Sequence, residues 1–159
     1  MDHYVYIIKG TKHDNPNKTK YYIGYTVDPQ RRIMQHNRLK KNGAKATAGF
    51  HWTYQALISN INDNIEGLQI EWRLKYSTKK TNIISRIDEF LKYLEKHNKA
   101  SPNSEILDHK ILFSLHDELY NKIEKKEGWT NVIIINVNEN DLQRNPGCNA
   151  PHPVGFSSF

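Results

Sequence analysis

Three short stretches in the first 60 residues carry the β-rich, face-alternating pattern of strands. They are "HYVYIIK" (His3–Lys9), "YYIGYT" (Tyr21–Thr26) and "WTYQALIS" (Trp52–Ser59). "GTKHDNPNKTK" between the first two reads as a polar connection, long for a hairpin turn. After the second strand, Asp28 is placed to cap a helix whose first residue is Pro29, predicted to run to about Leu39. A basic Gly/Ala-rich loop, "KKNGAKATAGF", leads to the third strand. A second helix is predicted from about Asp63 to Lys75, with Ile65, Leu68 and Trp72 forming its buried stripe.

The pattern changes beyond that point. Ile84, Ile87, Leu91 and Leu94 alternate at spacings of three and four within Ile83–His97, as do Leu112, Leu115, Leu119 and Ile123 within Asp108–Lys126. Both stretches read as amphipathic helices, an antiparallel pair. "NVIIINV" (Asn131–Val137) predicts a late strand, and the Pro- and Gly-bearing tail from Asn145 an irregular end. The expected organisation is α+β: a domain over 1–80 with a small three-stranded mixed sheet flanked by helices, then a C-terminal helical extension over 81–159.

Charge sharpens this division. Residues 1–76 carry 12 basic and 6 acidic side chains, and residues 77–159 carry 11 of each, so the net +6 lies wholly in the first half. A one-sided positive field predicts a polyanionic partner, nucleic acid foremost. Cys148 is the lone cysteine, which excludes an intrachain disulfide and a zinc site of several thiolates within this chain. No apolar run has the length of a membrane span and the N-terminus lacks signal-peptide character. The expected location is intracellular, nucleus or cytoplasm, without membrane association or secretion.

The chemistry gathers in the first half. Tyr22 and Gly24 share a strand face, as do Tyr4 and Tyr6. Arg32 and His36 are four apart and stack on one helical face, whereas Arg31 lies about 100° away. If that helix crosses the two strands, Tyr6, Tyr22, Arg32 and His36 converge. The guanidinium grips phosphate oxygens and stabilises the charge of a pentacovalent phosphorus. The imidazole relays protons near neutrality, and the phenol becomes a base beside a cation. Glu71, beside the apolar Ile70 and Trp72, is the candidate carboxylate for Mg²⁺ or Mn²⁺, whose sites often need one or two carboxylates. Metal-assisted phosphodiester hydrolysis follows as the candidate reaction. Taken singly, each residue has an ordinary structural role.

In order, "YVYII", "YYIGYTVDPQRRIMQHN", "GAKATAG" and "IEWRLK" resemble the GIY-YIG nuclease superfamily, most closely its eukaryotic branch that cuts branched DNA. Tyr4-Val5-Tyr6 stands at the first triplet and Tyr22-Ile23-Gly24 at the second, with Tyr4 where the family usually has glycine. The resemblance covers about residues 3–76 and implies one divalent metal on Glu71, an activated water and a single nick per site. It implies that Tyr6 and Tyr22 line the site, one serving as base; which one stays open. It further implies that Arg32 stabilises the phosphorane and that His36 assists. That branch also carries a zinc-binding RING-like module, which one cysteine cannot build, so a scaffold partner is in question.

Arg31, Arg38, Lys40, Lys41 and Lys45 are candidate DNA-backbone contacts around the first helix and its following loop. His51, Trp52 and Tyr54 are candidates for stacking on a base, with core packing the competing role for Trp52. The helical extension is a candidate surface for a homodimer or a protein partner. Alternatives to a structure-selective DNA endonuclease are a sequence-reading enzyme of the same superfamily, homing or restriction-like, and a non-catalytic nucleic-acid-binding module.

Overall fold

A computed structural model describes residues 1–76, 78–79 and 81–138; the tail from Asn145, with Cys148, lies outside them. Its elements are β1 (His3–Lys12), β2 (Asn15–Thr26), α1 (Pro29–His36), β3 (Phe50–Ile61), α2 (Asn64–Tyr76), α3 (Ile83–His97), β4 (Ile111–Leu115), α4 (Asp117–Lys122) and β5 (Val132–Asn136). A short 3₁₀ turn at Lys45–Thr47 interrupts the basic loop. The fold is α+β, with one five-stranded sheet ordered β2-β1-β3-β4-β5. All neighbours are antiparallel except β4 and β5, which run parallel.

Two expectations about the strands are corrected. The first concerns Gly10–Lys20, which extends the β1–β2 hairpin rather than forming a connection. Its polar composition and Pro16 suit an edge strand, where missing donors and exposed side chains cost little. The second concerns Asp108–Lys126, which is β4, a short link and α4 rather than one long helix. The sheet therefore has five strands instead of three, and the predicted helix pair of residues 83–97 and 108–126 does not form. All five residues of β4 are buried because β3 and β5 flank it and both sheet faces are covered. Leu112, Leu115, Leu119 and Ile123 are buried as their spacing suggested, so that spacing was a burial signal without being a helix signal.

Each face of the sheet has its own core. One holds Val5, Ile7, Ala56 and Ile58 under Ile70 and Leu74 of α2 and Ile87, Phe90, Leu91 and Leu94 of α3. The other holds Tyr4, Tyr6, Ile8, Trp52, Tyr54 and Leu57 on the side of α1. Asn82 caps α3 by accepting from the backbone N–H groups of Ile84 and Ser85. Among the described residues no helix is long and apolar enough to cross a membrane.

The buried face of α2 also differs from the expectation. Gly67, Ile70 and Leu74 face inward, while Ile65, Leu68 and Trp72 are exposed. Gly67 sets this rotation, because the Tyr25 ring lies where a Cβ would be, 2.6 Å away. A side chain there would hold the helix off β2.

Candidate functional site at the edge of the sheet

Strand β2 is an edge strand, and the site forms where α1 on one face and α2 on the other both reach that edge. Helix α1 starts where the sequence marks it: the Asp28 carboxylate accepts from the Arg31 N–H at 3.0 Å and Pro29 follows. The Pro29 carbonyl accepts from the Tyr54 hydroxyl at 2.5 Å, which ties the helix start to β3. The helix stops at Asn37, whose side-chain amide exchanges hydrogen bonds with the Trp52 backbone. Arg38 follows at φ 64°, earlier than the predicted end near Leu39.

This anchoring delivers Arg32 and His36 onto Tyr6. The Arg32 Nε–H donates to the Tyr6 hydroxyl oxygen at 3.2 Å, and the same hydroxyl lies 2.7 Å from His36 Nε2. The Thr47 hydroxyl donates its single proton to the Ala44 carbonyl at 2.8 Å. Thr47 Oγ1 can therefore only accept from His36 Nδ1, 3.1 Å away. That leaves Nε2 unprotonated, so the Tyr6 O–H donates to it. Tyr22 completes the cluster, its ring centroid 5.1 Å from His36 and 6.4 Å from Tyr6.

The groups set one another's charge states. Burial, followed by the positive Arg32 and Arg38, lowers the His36 pKa to about 4, so the imidazole is neutral at pH 7. Burial raises the Tyr6 phenol well above its ordinary value, and Arg32 only partly offsets this. Partial burial works against the Arg32 charge, but its hydrogen bond to Tyr6 and its charge interactions with Tyr6 and Tyr22 outweigh it and raise its pKa. The resting site is thus a protonated phenol between a fixed cation and an empty proton acceptor.

The His36 shift has a consequence for stability. An unfolded histidine titrates near ~6.5, so between that pH and about 4 the unfolded chain takes up a proton that the folded chain refuses. Stability is expected to fall across this acid window by roughly 3 kcal/mol. His36→Gln should remove that component, as denaturant midpoints from pH 7 to pH 4 would show.

Gly24 gives Tyr6 its room. A Cβ at position 24 would overlap the Tyr6 phenol ring and hydroxyl. Gly24→Ala is expected to destabilise by ~1–3 kcal/mol and to push Tyr6 away from Arg32 and His36. Thermal denaturation and phosphodiester cleavage, measured on the same sample, would register both effects.

Glu71 arrives from the opposite face. Its Oε1 accepts from Lys75 Nζ at 2.8 Å, and Lys75 Nζ lies 5.4 Å from the Tyr22 ring centroid. Glu71 is close enough to Tyr6 to favour the neutral phenol. Among the described residues no group of three or more His, Cys, Asp or Glu is arranged to hold a metal. Glu71 is a single carboxylate, its side chain 18% exposed and paired with Lys75, and a hard cation held there would take its other oxygens from phosphate and water.

Tyr6, Tyr22, Arg32, His36 and Glu71 therefore share one edge. The candidate DNA contacts divide. Arg31, Lys40, Lys41 and Lys45 are exposed, while Arg38, although exposed, donates to the Ala44 carbonyl at 2.7 Å and braces the loop behind His36. His51 is exposed, but Trp52 and Tyr54 are buried and unavailable to a base. Sequence reasoning gave no role to Thr47, which fixes the His36 tautomer, or to Gln35, whose Oε1 accepts from Arg32 Nη1 at 2.9 Å. Lys75 was also missed, although its spacing of four from Glu71 was the available signal. Tyr21 points to the other face, where its hydroxyl donates to Glu118 at 2.9 Å.

Fold and site together define a small mixed-sheet domain that carries a Tyr/Arg/His/Glu constellation on an edge strand. The GIY-YIG catalytic domain pattern matches residues 2–85, more than half of the chain, and the chain belongs to the GIY-YIG family. The family uses a divalent cation. Among curated proteins, the chain is 36% identical over 88 residues to a structure-specific endonuclease subunit SLX1 homolog of Leishmania infantum, covering 54% of this chain and 12% of that protein. It is 36% identical over 81 residues to the Drosophila persimilis homolog of the same name, covering 50% of this chain and 28% of that protein. The Caenorhabditis briggsae homolog is 40% identical over 57 residues, 35% of this chain and 13% of that protein. The chain thus matches 12–28% of the length of these relatives.

Proposed function

We propose that this chain is a DNA endonuclease that hydrolyses phosphodiesters at the β2 edge and selects branched, flapped or junction DNA, within the cell's nucleus or cytoplasm. The observation that carries the reading is the Arg32–Tyr6–His36 chain: a guanidinium donating to a phenol that itself donates to a neutral imidazole. A structural packing role would not call for a charged donor and an unprotonated acceptor on one buried hydroxyl. The branched-DNA preference is supported by the relatives, which are named structure-specific endonuclease subunits. "Subunit" also supports a protein partner.

In this reading Glu71 would hold Mg²⁺ or Mn²⁺, which would polarise the phosphate and activate a water. Lys75, paired with Glu71 in the resting site, would then be available to a phosphate oxygen. As water attacks phosphorus, its proton passes to the Tyr6 oxygen while the Tyr6 proton passes to His36 Nε2. Tyr6 is the base, because it alone of the two tyrosines bonds to the imidazole. The proton held on His36 is then returned toward the leaving oxygen. Arg32, fixed by Tyr6, Gln35 and the Asn42 carbonyl, stabilises the charge growing on the equatorial oxygens. Arg31, Lys40, Lys41 and Lys45 track the backbone without reading bases.

The test is cleavage of labelled continuous duplex, flap and four-way junction DNA in Mg²⁺ and in Mn²⁺, with Glu71→Gln as control. Faster cutting of flap or junction than duplex, lost in Glu71→Gln, is expected. Binding without cutting in either metal would leave the chain a nucleic-acid-binding module.

A further inference from the structure

Four large apolar side chains of α2 face solvent: Ile65, Leu68, Trp72 and Tyr76, at 61%, 48%, 55% and 63% exposure. One exposed apolar residue is ordinary, but a continuous stripe marks a surface made for contact. Its two ends differ in charge. Ile65 lies in a hollow that Asp63, Glu66, Glu105 and Asp108 also line. Trp72 and Tyr76 are flanked in the chain instead by Arg73, Lys75 and Lys79. Their ring centroids are 5.7 Å apart, and the Arg73 guanidinium sits 5.9 Å from the Trp72 centroid and 3.7 Å from that of Tyr93.

This basic aromatic end is continuous with the catalytic edge. Trp72 follows Glu71 in the chain, and Lys75, one turn on, both bonds Glu71 and reaches over Tyr22. We propose that Trp72 and Tyr76 form a stacking platform for an unpaired nucleotide of the DNA whose phosphate lies at Glu71. Flat apolar rings set among cations fit a nucleotide, which offers a π-face on an anionic backbone. Continuous duplex hides its base faces, and a flap or branch point exposes them. The platform therefore rewards branched DNA without reading sequence. The acidic Ile65 end repels a polyanion and limits the contact to the C-terminal end of the helix.

The inference rests on the endonuclease reading, and a binding measurement separates the two. The full chain is titrated in EDTA with fluorescent oligothymidine, flap DNA and continuous duplex, comparing wild type with Trp72→Ala, Trp72→Phe, Tyr76→Ala and Ile65→Ala. Trp72→Ala is expected to weaken oligothymidine and flap binding by about tenfold or more while duplex binding holds. Trp72→Phe should restore most of the loss, Tyr76→Ala should show a smaller loss of the same kind, and Ile65→Ala should resemble wild type. Equal losses on all three DNAs, or no loss on any, would overturn the platform. So would a loss in Ile65→Ala matching that in Trp72→Ala, the pattern of a surface used along its whole length. If wild type binds flaps through Trp72 but cuts nothing in Mg²⁺ or Mn²⁺, the endonuclease reading fails and the platform stands. If it cuts flaps and Trp72→Ala binds normally, the reverse holds.

Discussion

Arg32→Ala is expected to lower cleavage by roughly 10²–10³-fold, the usual loss when a fixed donor to developing transition-state charge is removed. The adjacent Arg31→Ala should alter only the salt dependence of DNA binding. The contrast comes from one step around a helix. Arg31 is exposed and uses its backbone N–H on the Asp28 cap. Arg32 points over β2 and is held there by three acceptors: the Tyr6 hydroxyl, Gln35 Oε1 and the Asn42 carbonyl. Holding a guanidinium before substrate arrives removes the ordering cost from the reaction step. Arg32→Lys should rescue poorly, because an ammonium cannot bond Tyr6 through Nε and keep a second planar edge for phosphate. Single-turnover cleavage with saturating protein isolates this effect from binding. Equal rates for the Arg31 and Arg32 variants would refute the assignment.

Tyr6→Phe is expected to cost about 10²–10⁴-fold in the same assay, the range for loss of a positioned proton-transfer group. The companion expectation concerns coupling. In the proposed relay Tyr6 and His36 hand over one proton between them, so removing either breaks it. The double variant Tyr6→Phe/His36→Gln should therefore be little slower than the worse single variant, where independent roles would multiply. Tyr22→Phe should be milder, because Tyr22 meets His36 by ring contact rather than by a hydrogen bond to Nε2. A larger loss in Tyr22→Phe than in Tyr6→Phe would move the base to Tyr22. The acid limb of the rate profile gives a second check: with a His36 pKa of about 4, the imidazole remains an acceptor through the mildly acidic range. A free histidine would lose that capacity near ~6.5.

Much of the site is legible in the chain because its parts are local. Strand alternation places Tyr22 and Gly24 on one face, and helical spacing separates Arg32 from Arg31. Asp28-Pro29 starts α1 in the register that brings Arg32 and His36 to Tyr6. The third helix is legible to the residue, Ile83–His97, because Asn82 caps it and its apolar spacing matches the face it buries.

Contacts between elements are what the sequence leaves open. Whether Leu112 and Leu115 lie on a helix or a strand depends on β3 and β5 lying on either side to satisfy the backbone. The rotation of α2 depends on Gly67 meeting Tyr25, which turns Trp72 outward and Ile70 inward. The same rotation brings Glu71 to the β2 edge and sets the aromatic pair beside it. The tautomer of His36 depends on Thr47, 11 residues away in a loop that only the fold brings close. Local propensity and periodicity fix which groups share a face of one element. Burial, edge position and proton placement belong to the packed whole, because each is decided by a neighbour distant in sequence.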